Sequence, residues 1–144
     1  MATFNKFNDF SEQLTRGTQN FGTDSYKVAL SNTAPTAANA ALADITQISA
    51  GNGYTTGGTA TTISISETSG TTTVSGTQVV FTASGGSIGP FRYVVLYNDT
   101  TTTPVNKPLV GWWDYGSPGV TLADTETFTV KFSNTSPGAI FTLT

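Results

Sequence analysis

Nine carboxylates, six basic side chains and 42 serine and threonine hydroxyls are the groups with which this 144-residue chain could do chemistry. Histidine and cysteine are absent. That excludes a Ser-His-Asp triad and any imidazole base. It also excludes a thiol nucleophile, a zinc-thiolate site, an iron–sulfur cluster and a disulfide framework. A serine–lysine dyad would need Lys6, Lys27, Lys107 or Lys131 buried beside a serine. Lys131 alternates with Phe128, Val130 and Phe132, so it is expected to face solvent. Glycoside hydrolysis needs two carboxylates across a cleft, one with a raised pKa. Of the nine acids only Asp114, between Trp113 and Tyr115, has aromatic surroundings suited to a sugar. Trp112, Trp113, Asp114 and Tyr115 are therefore an alternative glycan-contact group. The simpler reading places the tryptophans in the core and Asp114 at a strand end.

Asp124 and Glu126 share a face in Ala-Asp-Thr-Glu-Thr. Calcium takes six to eight oxygens, and no third acid stands nearby. The pair reads as a turn entering a strand. Gly85-Gly86-Ser87-Ile88-Gly89 lacks the lysine and the strand–loop–helix setting of a phosphate loop, and reads as a turn. Asn98-Asp99-Thr100 and Asn134-Thr135-Ser136 match the glycosylation sequon. The opening MATFNKFNDFSEQ has no basic region followed by an apolar one, so no signal peptide is expected and both sequons read as chance matches. The expectation is a non-enzyme with no catalytic residues, no cofactor and no metal.

The net charge is −3 and the pI about 4.5. No basic run exists to hold a polyanion, so no nucleic-acid partner is expected. No apolar stretch approaches the ~20 residues of a membrane-spanning helix. Charged residues make up 10% of the chain, against about 25% in an ordinary soluble domain. The deficit is local: from Ile45 to Phe91 the sole charged residue is Glu67. Hydroxyls there can bond without the desolvation cost of ions. Interface cores are depleted in charge. An exposed strand edge without charged guards invites association. Thr62, Ser64, Ser66, Thr72 and Thr77 are thus expected to be covered by a sister subunit or partner.

The elements that would carry these residues are mostly strands. Phe4, Phe7, Phe10 and Leu14 recur every three or four residues, which predicts one helix within residues 1–17, from Thr3 to Gly17. Its phenylalanines are expected to dock on a sheet, a neighbouring subunit or a capsid. From residue 23 to 144 the period is two. Tyr26-Val28-Leu30, Ile63-Ile65, Val79-Phe81-Ala83 and Phe128-Val130-Phe132 each read as half-buried strands. Ala37–Ala43 reads as a helical turn. Ser69-Gly70 and Ser75-Gly76 read as turns. Phe91–Tyr97 is apolar on both faces apart from Arg92 and reads as a central strand, followed by a polar turn at Asn98–Pro104. Leu109–Tyr115 and Ala139–Leu143 complete roughly eight strands. The fold class is mainly β: one antiparallel sandwich or jelly-roll domain with a short N-terminal helix.

Two stretches carry a resemblance. One is Met-Ala-Thr-Phe-Asn-Lys-Phe-Asn-Asp-Phe with the later Asp24-Ser25-Tyr26-Lys27-Val28-Ala29-Leu30-Ser31-Asn32-Thr33-Ala34-Pro35. The other runs from Phe81 to Asn98, through Gly85-Gly86-Ser87-Ile88-Gly89-Pro90, together with Leu109-Val110-Gly111-Trp112-Trp113-Asp114-Tyr115-Gly116. Together they resemble a small protein encoded among the virion structural genes of tailed bacteriophages. The resemblance implies a capsid decoration (cement) protein, made in the host bacterial cytoplasm and placed on the capsid surface. It implies the major capsid protein as partner and a homo-oligomer, with a trimer favoured. A tail, baseplate or fibre component is the nearest alternative. The resemblance brings no residue-by-residue binding motif. Phe4, Phe7, Phe10, Thr62, Ser64, Ser66 and Thr72 are the expected interface residues on the reading of the chain itself.

Overall fold

A computed structural model describes residues 2–144. It is mainly β, with antiparallel sheets and one short helix near the N-terminus, consistent with a β-sandwich. One layer is a five-stranded sheet ordered β1 (Phe4–Lys6), β9 (Leu109–Asp114), β8 (Tyr93–Asn98), β2 (Tyr26–Ser31), β3 (Thr59–Thr61). Three small sheets complete the fold. They are β12 (Gly138–Leu143), β5 (Thr71–Gly76) and β4 (Ile63–Thr68); β11 (Thr127–Val130) with β6 (Val79–Thr82); and β10 (Val120–Leu122) with β7 (Ile88–Phe91). The main core lies between the layers. Tyr26, Val28, Leu30, Val94, Leu96, Val110 and Trp113 of the large sheet cluster with Val74, Phe81, Phe91, Val130, Phe132 and Ile140.

The large sheet is buried on its second face too. Phe7, Ala29, Ile45, Val95, Tyr97 and Leu109 form a separate cluster there, with Leu42 and Trp112 packed against it. The cover is the 36–48 segment. It contains a single 3₁₀ turn at Leu42–Asp44, shorter than the Ala37–Ala43 turn expected. Asp44 Oδ2 accepts from the N–H groups of Ala40 and Ala41 at 2.9 and 3.1 Å. Those bonds hold its carboxyl below the usual range. Every residue of β8 is consequently buried. That strand begins at Tyr93, and Arg92 just before it still bonds both neighbours, donating its N–H to Ser31 O and accepting from the Tyr115 N–H.

The N-terminal helix is shorter than its periodicity suggests. The helix α1 is Asn8–Thr15, and Phe4–Lys6 is a strand paired with Gly111–Trp113. Tertiary pairing overrides the helical spacing here. Gly111 leaves room for it, since a Cβ there would stand 2.2 Å from the Phe4 ring. The three phenylalanines then part company: Phe4 packs on Trp113, Phe7 on Trp112, and Phe10 on Phe21 and Phe141. Ser75-Gly76 is also not a turn but the end of β5. Gly76 is glycine for close approach: an added Cβ would meet the Phe132 ring at 2.7 Å.

Candidate functional site

The residues that could act chemically are mostly bound to one another. Asp114 receives both Arg92 Nε at 2.6 Å and Arg92 Nη2 at 2.7 Å, and also the Gly116 N–H at 2.8 Å. The guanidinium, with that amide, holds its carboxyl below the ordinary carboxylate range. A glycosidase acid needs the opposite shift; in this structure Asp114 is half of a strand-end ion pair. The glycan group is not assembled either. Trp113 is 3% exposed and belongs to the main core. Trp112 packs on Phe7 across the opposite face of the sheet, while Tyr115 packs on Phe128 inside. Alternation along β9 separates Trp112 from Trp113 and Tyr115, so they offer no common platform.

Three of the four lysines are likewise committed. Lys27 Nζ and Lys107 Nζ bind the two oxygens of Asp99 at 2.9 and 2.7 Å. Burial pushes the Asp99 carboxyl up, but the two ammonium groups outweigh it and hold the carboxyl below its usual value. Lys6 bonds Ser11 on the exposed surface, at the rim of a groove lined by Phe4, Phe10 and Leu14, and is not buried as a lysine base must be. Lys131 is exposed. Asp124 Oδ1 accepts from the Gly85 N–H, and Glu126 Oε2 from the Ala123 N–H, so both fasten turns. No group of three or more metal-ligating side chains occurs among the described residues.

A buried polar network escaped the sequence reading. Asn98 is 0% exposed, which removes it as a glycosylation acceptor. Its Nδ2 donates to Asp24 Oδ2 at 2.7 Å, and its Oδ1 accepts from the N–H groups of Thr100 and Thr101. The Tyr26 hydroxyl donates to Gln19 Oε1 at 3.0 Å, and Gln19 Nε2 reaches Pro108 O and Leu109 O. Burial, with Asp24 nearby, pushes the Tyr26 phenol far above its ordinary value. This network fastens the 18–25 loop to the end of the large sheet. Gln19 gave no sequence signal, because it sits in a loop with no period.

What remains uncommitted is the solvent side of the small sheets. Register places Ser64 opposite Ser75, Ser66 opposite Thr73, and Thr68 opposite Thr71, with Thr142 beside Thr73 on the far strand. These side chains share one face by the two-residue alternation of strands. None of them makes a side-chain hydrogen bond within the described residues. Thr62 precedes the same row, and its N–H bonds Thr77 Oγ1 at 3.0 Å. The β6–β11 pair adds Val80, Thr82, Thr127 and Thr129, paired as Thr127 with Thr82 and Thr129 with Val80. No strand residue on either face is charged; Lys131 lies just beyond the end of β11.

The expected interface residues therefore divide. Thr62, Ser64 and Ser66 are exposed on or beside the hydroxyl face. Thr72 is on the opposite face, lining an apolar groove of about 380 Å³ with Leu14, Ile65, Val74, Phe141 and Leu143. Phe7 and Phe10 are 0% and 4% exposed, and Phe4 is half-buried on Trp113. Phe7 and Phe10 fill this chain's own interior, because the sandwich needs them to close both faces of the large sheet, whereas Phe4 also lines an open groove with Leu14 and Phe141.

No family model matches this chain, and neither a curated protein nor a solved structure matches it.

Proposed function

We propose that this chain is a non-enzymatic structural protein of a phage virion, a capsid decoration protein that docks through its hydroxyl face onto the major capsid protein. The observation that carries the reading is that uncharged face, held on a sandwich in which Asp99 and Asp114 are closed in ion pairs with Lys27, Lys107 and Arg92. Covering hydroxyls with another hydrogen-bonding surface avoids the desolvation penalty of ions. Presenting them from paired strands limits the conformational entropy lost on docking. The resemblance of the 24–35, 81–98 and 109–116 stretches supplies the virion context. Copies on neighbouring capsomers would add up through multivalency, so each contact can be modest.

The test is a cryo-EM map of the native particle. The expected result is density for the sandwich on the outer head surface, with Ser64, Ser66 and Thr73 turned toward the shell. Density on the tail or baseplate, or a head-bound chain with that face in solvent, sinks the reading.

A further inference from the structure

We infer that the free edge of β4 pairs with the β4 edge of a second copy, antiparallel and about a two-fold axis, to form a continuous six-stranded sheet. The inference stands whether or not the virion reading holds.

Its basis is which backbone groups β4 leaves open. Ser69 and Gly70, with φ of 52° and 82°, form the two-residue turn between β4 and β5. Thr68 and Thr71 flank that turn as a hydrogen-bonded pair, and bonding alternates from there. Ser66 and Ser64 therefore bond β5. Thr62 continues the series, its carbonyl accepting from the Thr77 N–H. The N–H and C=O groups of Ile63, Ile65 and Glu67 point away from β5. Among the described residues, no other backbone hydrogen bond claims them.

Natural sheets guard such edges with short strands, bulges, proline or lysine. The other edges of the two larger sheets conform: β1 and β3 have three residues each, and β12 carries a register irregularity between Ala139 and Phe141; β6 and β11 are unguarded but only four residues long. β4 has six residues in unbroken register, with no lysine, arginine or proline. Its Ile65 is 48% exposed at the rim of the apolar groove that also holds Leu143, itself 47% exposed.

The second copy is the occupant that charge and register favour. Centring the axis on Ile65 sets Ile65 against its own symmetry mate and Ile63 against Glu67. Each of these pairs is of the hydrogen-bonded kind, and each exchanges two bonds. The single charge of the strand, Glu67, then lies about 14 Å from its mate, beyond the ~8 Å screening length at physiological salt. A parallel in-register pair would place the two carboxylates side by side. The mate's Ile65 points to the same face as Ile65, toward the groove mouth, which gives the added strand an apolar anchor. One strand edge buries less than the roughly 1,200 Å² of a standard interface, so the dissociation constant is expected on the order of 0.1 mM.

The experiment combines sedimentation equilibrium with amide exchange by NMR on the intact chain, from about 10 µM to about 1 mM. The expected result is an average mass rising from monomer toward dimer. In step with it, the amides of Ile63, Ile65 and Glu67 slow at least tenfold while Ser64 and Ser66 stay constant. Ile65→Pro removes an N–H that β5 does not use, so the fold is retained and association is lost. Ile65→Lys reinstates a guard and does the same if the proline variant fails to fold. Thr127→Lys, on a different sheet, leaves association unchanged. A monomer throughout overturns the inference. So does a dimer or trimer whose Ile63, Ile65 and Glu67 amides stay fast, and so does protection of those amides only when another protein is added.

Discussion

The two central strands of this fold, β8 in the large sheet and β5 in the small one, are each six residues long and end in different states. All of β8 is buried, Asn98 included, whereas in β5 only Val74 and Gly76 are. Polar groups around β8 each find a protein partner: Asn98 takes Asp24, Asp24 also takes the Asn20 N–H, and Asp99 takes two lysines. The side-chain hydroxyls on the outer side of β5 find none among the described residues. The contrast teaches that low charge serves two ends in one chain. Around the large sheet the few charges are spent in closed pairs. On the small sheet their absence leaves hydroxyls free for another surface.

Substitutions can sharpen or break this contrast. The largest effect is expected for Phe7→Ala, which empties the second core beneath the large sheet. It should cost about 3–5 kcal/mol in denaturant unfolding. Gly76→Ala tests the inner side of the small sheet. The new methyl would collide with Phe132 and Thr61, and overpacking of this kind costs about 1–3 kcal/mol. A neutral result would mean that Phe132 and Thr61 can yield at this contact between the layers.

Asp99→Asn tests whether charge around the large sheet is structural. Its side chain is 19% exposed, so the loss should be about 1 kcal/mol. The pH dependence has a fixed sign. The folded carboxyl lies below the unfolded value of about 3.9. Its stabilisation is therefore fully present above that pH and is lost as pH falls through the lower folded value. Acid titration of wild type against Asp99→Asn should show the two stabilities converging in that window. The smallest effect is expected for Ser66→Ala on the hydroxyl face, within about 0.5 kcal/mol of wild type. A larger loss would mean that face is already used within the chain.

The β class was legible because alternation at Tyr26-Val28-Leu30 and Val79-Phe81 is a local signal, and Ser69-Gly70 has the chemistry of a tight hairpin turn. The sites were less legible, for a physical reason. Phe4 fits a helical stripe equally well, and only the cleft above Gly111 makes it a strand residue. Gly76 looks like a turn until Phe132 is seen against it. Asn98 looks like a loop residue until its amide is found facing Asp24. Each of these depends on a partner far away in sequence. The neutral flank could be read from composition, but its division into a hydroxyl face and an apolar groove required the β4–β5 register, which sends Thr72 to the side opposite Ser64.

The docking claim is tested most directly by co-sedimentation with purified capsid shells at low and high salt. Wild type should pellet with shells at both. Paired charges on the face, Ser64→Lys with Thr73→Lys and separately Ser64→Glu with Thr73→Glu, should keep the fold and lose binding about tenfold or more for either sign, because each would bury an unpaired ion. Binding equal to wild type in both charged variants, or wild type that never pellets, would contradict it.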